Sequence, residues 1–164
     1  MSKSLIIYFS RADENYSVGY ISKGNTEYIA EFVQELTGAD MFKVEPEVPY
    51  AADYKTCIEE AKKRIGNAPI KEKLTNISGY DTIFVMSPIY WGTYAPEIET
   101  ALEGVDFTGK RIRVVSTHEG SGLASMPSDV KKMCKGANVD SNGLAIKGSQ
   151  AKESKDKVKA WIAQ

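Results

Sequence analysis

Apolar residues along the chain fall into two alternating patterns, short continuous runs and longer segments with helical spacing. The first run, residues 5–9, is typical of a strand that is buried on both faces of a parallel sheet. In residues 26–36 the apolar side chains instead recur every three or four positions, and Gly38 ends that pattern as a helix C-cap would. The two segments together predict a first unit of one strand and one helix.

The same alternation continues to the end of the chain. Four more runs predict strands at residues 39–45, 81–87, 111–117 and 143–146. Four more segments predict helices, namely one with the apolar stripe Tyr54, Ile58, Ala61 and Ile65, one opened by Pro96, one over residues 125–134 and a last one with Ser149 as its N-cap. Five strands alternating with five helices predict an α/β fold, a doubly wound five-stranded parallel sheet with helices on both faces. Because no repeat or low-complexity tract divides this pattern, we expect one domain over residues 1–164.

Charge narrows the classes of partner. The 21 basic and 22 acidic residues nearly cancel, so neither a nucleic acid nor an acidic membrane surface is expected as a bulk electrostatic partner. The two parts of the chain differ, however. Residues 1–110 hold 11 basic and 17 acidic side chains, whereas residues 111–164 hold 10 and 5, which predicts an electric dipole.

The cysteines and the first apolar run bear on the location of the protein. Cys57 and Cys134 have no metal-ligand spacing, and we expect both to be reduced, packed thiols. The apolar run at residues 5–9 is too short for a signal peptide or a membrane span. We therefore expect a cytoplasmic protein that does not insert into a membrane.

Three loops follow predicted strands at the edge where doubly wound sheets bind ligands, beyond the carboxyl ends of the strands. The first loop starts at Ser10 and Arg11. It ends with a glycine followed by two polar residues at a helix start, in the segment Lys23, Gly24, Asn25 and Thr26. Such a segment aims backbone N–H groups, a hydroxyl and the helix dipole at an anion. The alternative is an ordinary helix cap, which uses the same residue types.

The other two loops offer aromatic rings and flexible backbone. The loop after the third strand contains three aromatic rings between two prolines, and it begins Ser87, Pro88, Ile89, Tyr90, Trp91 and Gly92. A flat aromatic ligand could stack there, although an exposed Tyr-Trp pair is also typical of a protein interface. The loop after the fourth strand begins Thr117, His118, Glu119 and Gly120. Its backbone could approach the edge of a ligand ring, and the alternative is a flexible surface turn.

Several other kinds of site are disfavoured. His118 is the only histidine, which excludes a metal site built from several histidines, and no GxSxG motif presents a nucleophile. The first loop matches neither GxGxxG nor GxxxxGKS/T, so a dinucleotide site and a P-loop site are also disfavoured. The coincidence of three suitable loops therefore favours a mononucleotide site.

Over essentially its whole length the sequence resembles the flavodoxin family, in the short form of that fold. The phosphate loop of the family reads Ser/Thr-x-Thr-Gly-Asn-Thr. Here Ser10 and Arg11 are similar to its first half and residues 23–26 to its second half, with the eleven residues 12–22 between them. The segment Pro-Ile-Tyr-Trp-Gly is similar to the flavin-stacking loop of the family, and residues 117–122 resemble its second flavin loop.

The resemblance implies a strand order of 2-1-3-4-5 and non-covalently bound FMN. It implies that Ser10, Asn25, Thr26 and backbone N–H groups bind the phosphate, that Tyr90 or Trp91 covers the isoalloxazine, and that residues 117–122 meet its other edge. The complete set of expected cofactor-binding residues is Ser10, Arg11, Lys23, Gly24, Asn25, Thr26, Ser87, Pro88, Ile89, Tyr90, Trp91, Gly92, Thr117, His118, Glu119 and Gly120. No catalytic residue and no metal ligand are expected in the protein itself.

Two departures from the family pattern affect the expected function. Lys23 stands where the family usually has Thr, and Arg11 and Lys23 bring full positive charges to a phosphate site that usually lacks them. The net charge of −1 also differs from the strongly acidic character of electron-carrier flavodoxins.

We expect an electron-transfer flavodoxin whose partners are a flavoprotein reductase and an electron acceptor. The alternatives are an FMN-dependent NAD(P)H:quinone reductase on the same fold and a binding module without flavin.

Overall fold

The computed structural model describes residues 3–16 and 18–164. Its strands are β1 (Ser4–Tyr8), β2 (Asp13–Asn15), β3 (Gly19–Ile21), β4 (Asp40–Lys43), β5 (Thr82–Tyr90), β6 (Thr93–Tyr94), β7 (Arg111–His118), β8 (Asn138–Val139) and β9 (Leu144–Lys147). Its helices are α1 (Asn25–Thr37), α2 (Tyr54–Arg64), α3 (Pro96–Leu102), α4 (Met126–Met133) and α5 (Lys155–Ile162), and a 3-10 segment (Gly148–Glu153) precedes α5.

The main sheet confirms the predicted α/β fold and its strand order. Strands β4, β1, β5 and β7 lie side by side and are parallel, which corresponds to the order 2-1-3-4. Both β8 and β9 then pair with β7 in parallel at the fifth position. Helices α1 and α5 pack on one face of the sheet, and α2, α3 and α4 pack on the other.

The sheet has seven strands among the described residues instead of the predicted five. One added strand arises because the fifth position is divided between β8 and β9. Asp140 directly follows β8, and its carboxylate forms an ion pair with Arg111 at the start of β7. The other is β6, which folds back antiparallel on the end of β5. Trp91 and Gly92 form the turn with φ of 54° and 83°, as a two-residue hairpin requires.

The segment between the two halves of the first loop contains the two strands of a small hairpin, β2 and β3. Asp13 pairs with Ile21 and Asn15 with Gly19 in antiparallel register, and Ser17 lies outside the described residues. Asp13 has a φ of 67°. The sequence pattern predicts no strands in this segment, because the two strands are short and have no continuous apolar face.

Two helix predictions need correction. Ile65 was placed on the buried stripe of the second helix, but α2 ends at Arg64 and Ile65 is 58% exposed. Ser149 was placed at the N-cap of the last helix, but the 3-10 segment takes up that part of the chain and α5 begins after Ser154. Ala151 is fully buried there, so packing of this short segment against the core delays the start of the helix.

The core lies in two apolar clusters, one on each face of the sheet. Along β1, Leu5 and Ile7 face one cluster while Ile6 and Tyr8 face the other, as alternation along a strand requires. The thiols are free and buried as expected, and burial raises the pKa of Cys57 to about 11 and that of Cys134 to about 12. Within the described part of the chain, no helix is both long and apolar enough to cross a membrane.

Candidate ligand site at the carboxyl ends of the strands

A cavity of about 340 Å³ opens beyond the carboxyl ends of β5 and β7, beside the start of α1. All three loops singled out from the sequence contribute to it, although not every predicted residue does. Its lining comprises Asn15, Tyr16, Asn25, Tyr54, Ile58, Pro88, Ile89, Tyr90, Trp91, Gly92, Thr117, His118, Glu119 and Ser121. The topology therefore brings these separate segments together at the edge where this class of sheet binds ligands.

Trp91 forms part of the cavity wall on the turn between β5 and β6. The residue is 50% exposed, and its indole Nε1–H donates a hydrogen bond of 2.7 Å to the carbonyl oxygen of Ile58 in α2. The ammonium of Lys62, one helical turn further on, lies 5.1 Å from the centre of the Trp91 ring. The ring is thus positioned by α2 as well as by its own turn.

Tyr90 reaches from the cavity into the core. Its ring makes edge contacts with Phe9 at 5.8 Å and Tyr50 at 6.1 Å between centroids. Its buried hydroxyl has no hydrogen-bond partner among the described residues, and burial raises the pKa of Tyr90 well above its usual value. Tyr90 therefore presents a neutral ring to the cavity from a fixed position.

Ser87 supports the aromatic loop without lining the cavity. The side chain is fully buried, and its hydroxyl accepts a 2.8 Å hydrogen bond from the backbone N–H of Ala95. The same hydroxyl donates to the carbonyl oxygen of Pro88 at 2.8 Å. These bonds tie the two ends of the loop together.

The start of α1 packs closely against the first loop and carries the N-terminal N–H groups of the helix. A Cβ on Gly24 would lie 2.7 Å from the backbone nitrogen of Arg11 and 2.8 Å from its carbonyl oxygen, so only glycine fits. The hydroxyl oxygen of Ser10 accepts a 3.0 Å hydrogen bond from the N–H of Glu27. The backbone N–H groups of Asn25 and Thr26 have no acceptor among the described residues. This helix end can therefore donate hydrogen bonds to an anion.

Thr26 and Thr117 join the first loop to the fourth-strand loop. Both are buried, and their hydroxyl oxygens lie 2.8 Å apart in a hydrogen bond. The side chain of Thr26 is therefore committed inside the protein, which leaves its backbone N–H for a ligand.

The expected role of the Arg11 and Lys23 charges at the phosphate is not supported by their contacts. Arg11 is only 8% exposed, and its guanidinium donates to the carbonyl oxygens of Glu14, Ala51 and Ala52. Lys23 pairs with Glu31 and lies 4.5 Å from the centre of the Tyr28 ring. Neither side chain lines the cavity.

The loop after β7 forms the remaining side of the cavity. His118 Nδ1 accepts a 2.9 Å hydrogen bond from the N–H of Gly120, which does not itself line the cavity. Burial lowers the pKa of His118 below its ordinary value, so the ring is neutral at pH 7. Glu119 accepts a 3.1 Å hydrogen bond from the N–H of Ser149. It carries the only carboxylate among the cavity-lining residues that the structure describes.

Four of the lining residues are not among those predicted from the sequence. Asn15 and Tyr16 belong to the hairpin, and the position of this segment inside the first loop was the signal that could have placed them near the cavity. Tyr54 and Ile58 were assigned to the core, but Cys57 and Ala61 are the buried residues of α2.

Comparison with known proteins identifies the family. The family model described as Flavodoxin matches residues 15–164. The chain belongs to the flavodoxin family. None of the curated proteins matches this flavodoxin-family chain significantly.

Solved structures share the flavodoxin fold over nearly the whole chain. A Bacteroides uniformis protein provisionally named a flavoprotein is 24% identical with a TM-score of 0.77, and 99% of each chain is covered. A flavoprotein from Lactobacillus acidophilus, solved in complex with FMN, is 25% identical with a TM-score of 0.63, covering 93% of this chain and 98% of that one. Flavodoxin 2 from Bacillus cereus is 18% identical with a TM-score of 0.57, covering 99% and 96%.

Proposed function

We propose that this flavodoxin-family chain binds FMN non-covalently in the cavity and transfers electrons through it. The observation that carries the proposal is the convergence of three loops on one cavity, which joins free N–H groups at the start of α1 to an aromatic wall. The first feature suits a phosphate and the second a planar ring. The similar Lactobacillus acidophilus flavoprotein, solved with FMN, supports the same cofactor here.

The phosphate contacts follow from the hydrogen bonds already made at the start of α1. The N–H groups of Asn25 and Thr26 are free among the described residues. Ser10 accepts from Glu27, so the proton of its own hydroxyl remains available to donate. We assign these three donors to the phosphate, and we assign the close approach of Gly24 to the shape of the loop.

The ring contacts fall to the aromatic loop and the loop after β7. Tyr90 and Trp91 offer the two rings that the sequence predicted, and residues 117–121 offer polar backbone and His118 on the other side. When bound, FMN supplies the electron chemistry, and the residues of the chain bind, orient and partly shield it.

Calorimetry with FMN and riboflavin tests this assignment. Because riboflavin lacks the phosphate, it should bind far more weakly than FMN, by at least tenfold, since charge-assisted hydrogen bonds contribute about 1.5–3 kcal/mol each. The visible absorption spectrum of the purified protein gives an independent check for bound flavin. Equal affinities for the two compounds would contradict the phosphate site, and failure of both to bind would overturn the proposal.

Electron transfer to partner proteins is favoured by the size of the cavity. At about 340 Å³ it lies near the lower end of the roughly 300–1,000 Å³ typical of ligand pockets. An NAD(P)H:quinone reductase must also hold a nicotinamide against the flavin, and a cavity of this size suits one ring system better than two. We therefore propose a flavoprotein reductase and an electron acceptor as partners. We place this exchange in the cytoplasm, where the two free thiols would stay reduced.

A further inference from the structure

We infer that the β2–β3 hairpin is part of the ring-binding site, and that Tyr16 on it contacts a planar ligand ring. The inference rests on the proposed function, because it names a further contact for the same flavin ring. Tyr16 lines the cavity together with Tyr54, and their ring centroids are 5.6 Å apart with an angle of 37° between the planes. Yet Tyr16 is 59% exposed, so much of its surface is left uncovered by the rest of the chain.

The Tyr16 and Tyr54 pair continues the wall that holds Trp91. Tyr54 and Ile58 are four residues apart on α2 and therefore lie on the same face of the helix. Ile58 in turn accepts the hydrogen bond from the Trp91 indole. The four residues form one continuous surface from the hairpin to the β5–β6 turn, which we call the α2 wall (Tyr16, Tyr54, Ile58 and Trp91).

The hairpin is fixed to the start of α2 by a dense set of hydrogen bonds. The guanidinium of Arg11 links the carbonyl oxygen of Glu14 to those of Ala51 and Ala52. The N–H of Glu14 donates to the carbonyl oxygen of Ala52 at 3.0 Å, and the carboxylate of Glu14 accepts from the N–H of Tyr54 at 2.7 Å. These bonds give the buried Arg11 a clear role, which is to hold the hairpin where Tyr16 meets Tyr54.

Tyr20 provides an internal comparison on the same hairpin. It is 68% exposed, similar to Tyr16, but it lines a second open cleft with Val18, Ser22 and Lys23, and this cleft meets the cavity only at Asn25. The two tyrosines therefore face different sides of the hairpin. A ring in the cavity would meet Tyr16 and not Tyr20.

The experiment measures FMN and riboflavin affinity by calorimetry for Tyr16→Ala, Tyr16→Phe and Tyr20→Ala. Tyr16→Ala should weaken both ligands by the same factor, about 3- to 10-fold, because it removes a ring contact and leaves the phosphate donors in place. Tyr16→Phe should stay within about twofold of the parent protein because it keeps the ring. Tyr20→Ala should leave the riboflavin affinity unchanged, because Tyr20 does not line the cavity.

Three results would overturn the inference while FMN binding by the parent protein stands. These are unchanged affinities in Tyr16→Ala, a loss for FMN alone, or an equal loss in Tyr20→Ala, which would indicate general loosening of the hairpin. Failure of the parent protein to bind either ligand would instead refute the proposed function. Thermal melting of the apo variants confirms that each one is folded.

Discussion

At the scale of single residues, Trp91 shows how one side chain depends on two elements. Its backbone has a φ of 54°, which is uncommon for a bulky residue, and the β5–β6 turn imposes it. Its indole is then held by the carbonyl oxygen of Ile58 and by Lys62 above the ring. A residue fixed in this way can meet a ligand with little further loss of side-chain freedom.

Replacing Trp91 should separate the ring contact from the hydrogen bond. We expect Trp91→Ala to weaken FMN binding about 10-fold, since an aromatic pair contributes about 0.5–1.5 kcal/mol beyond the area it buries. Trp91→Phe should lose less, because a ring remains. Titration followed by flavin fluorescence measures the FMN affinity of both variants. The quenching of flavin fluorescence should be lower in Trp91→Phe than in the parent protein and lowest in Trp91→Ala. Ile65→Ala, an exposed position just after α2, serves as the control. Unchanged affinity and quenching in Trp91→Ala would place the flavin elsewhere.

At the scale of elements, the start of α1 depends on the contact between Gly24 and the first loop. A Cβ at Gly24 would press on the backbone of Arg11, and backbone cannot move aside as the end of a long side chain can. The helix end and the N–H groups of Asn25 and Thr26 are therefore placed by a close approach of two chain segments.

Gly24→Ala tests this placement. We expect the variant to lose at least 10-fold in FMN affinity and clearly less in riboflavin affinity, because the displaced N–H groups serve the phosphate. The matched control is Gly79→Ala, where an added Cβ would meet open space. Calorimetry with both ligands gives the ratio of the FMN affinity to the riboflavin affinity, and thermal melting checks that the variant is folded. An equal loss for both ligands would show that the change acts on the ring site or on the fold as a whole.

At the scale of the whole molecule, the uneven distribution of charge bears on the choice between carrier and reductase. The acidic excess lies in residues 1–110 and the basic excess in residues 111–164. If a charged protein partner docks on this chain, such an asymmetry would steer it, and salt would weaken the effect. A reductase that uses a small nucleotide needs no such protein partner.

Stopped-flow reduction of the holoprotein separates the two functions. We expect slow reduction by NAD(P)H alone and fast reduction once a flavoprotein reductase is added. The second rate should fall as ionic strength rises, because the association step is electrostatically steered. A chemical reductant such as dithionite serves as the control for a reducible flavin. Fast reduction by the nucleotide alone, followed by turnover with a quinone, would favour the enzyme instead.

Local patterns in the amino-acid sequence predicted the layered α/β fold, and the flavodoxin resemblance implied the strand order. Apolar runs such as residues 5–9 and helical spacing such as that of α1 are local patterns, so they can be recognised without knowledge of distant contacts. The three ligand loops could be located for the same reason, since each follows a strand. That each of their residues contacts a ligand stays a prediction.

Tertiary contacts determine which side chains line the cavity and which hold the surrounding elements in place. Arg11, 40 residues before Ala51, is bound to its carbonyl oxygen, and the Trp91 indole binds the backbone of Ile58, 33 residues earlier. Thr26 bonds to Thr117 across 91 residues. The short polar strands of the hairpin have no periodic signal of their own, and the Tyr16–Tyr54 contact depends on how the hairpin docks against α2. Contacts between segments far apart in sequence depend on packing geometry, which hydrophobic periodicity does not encode.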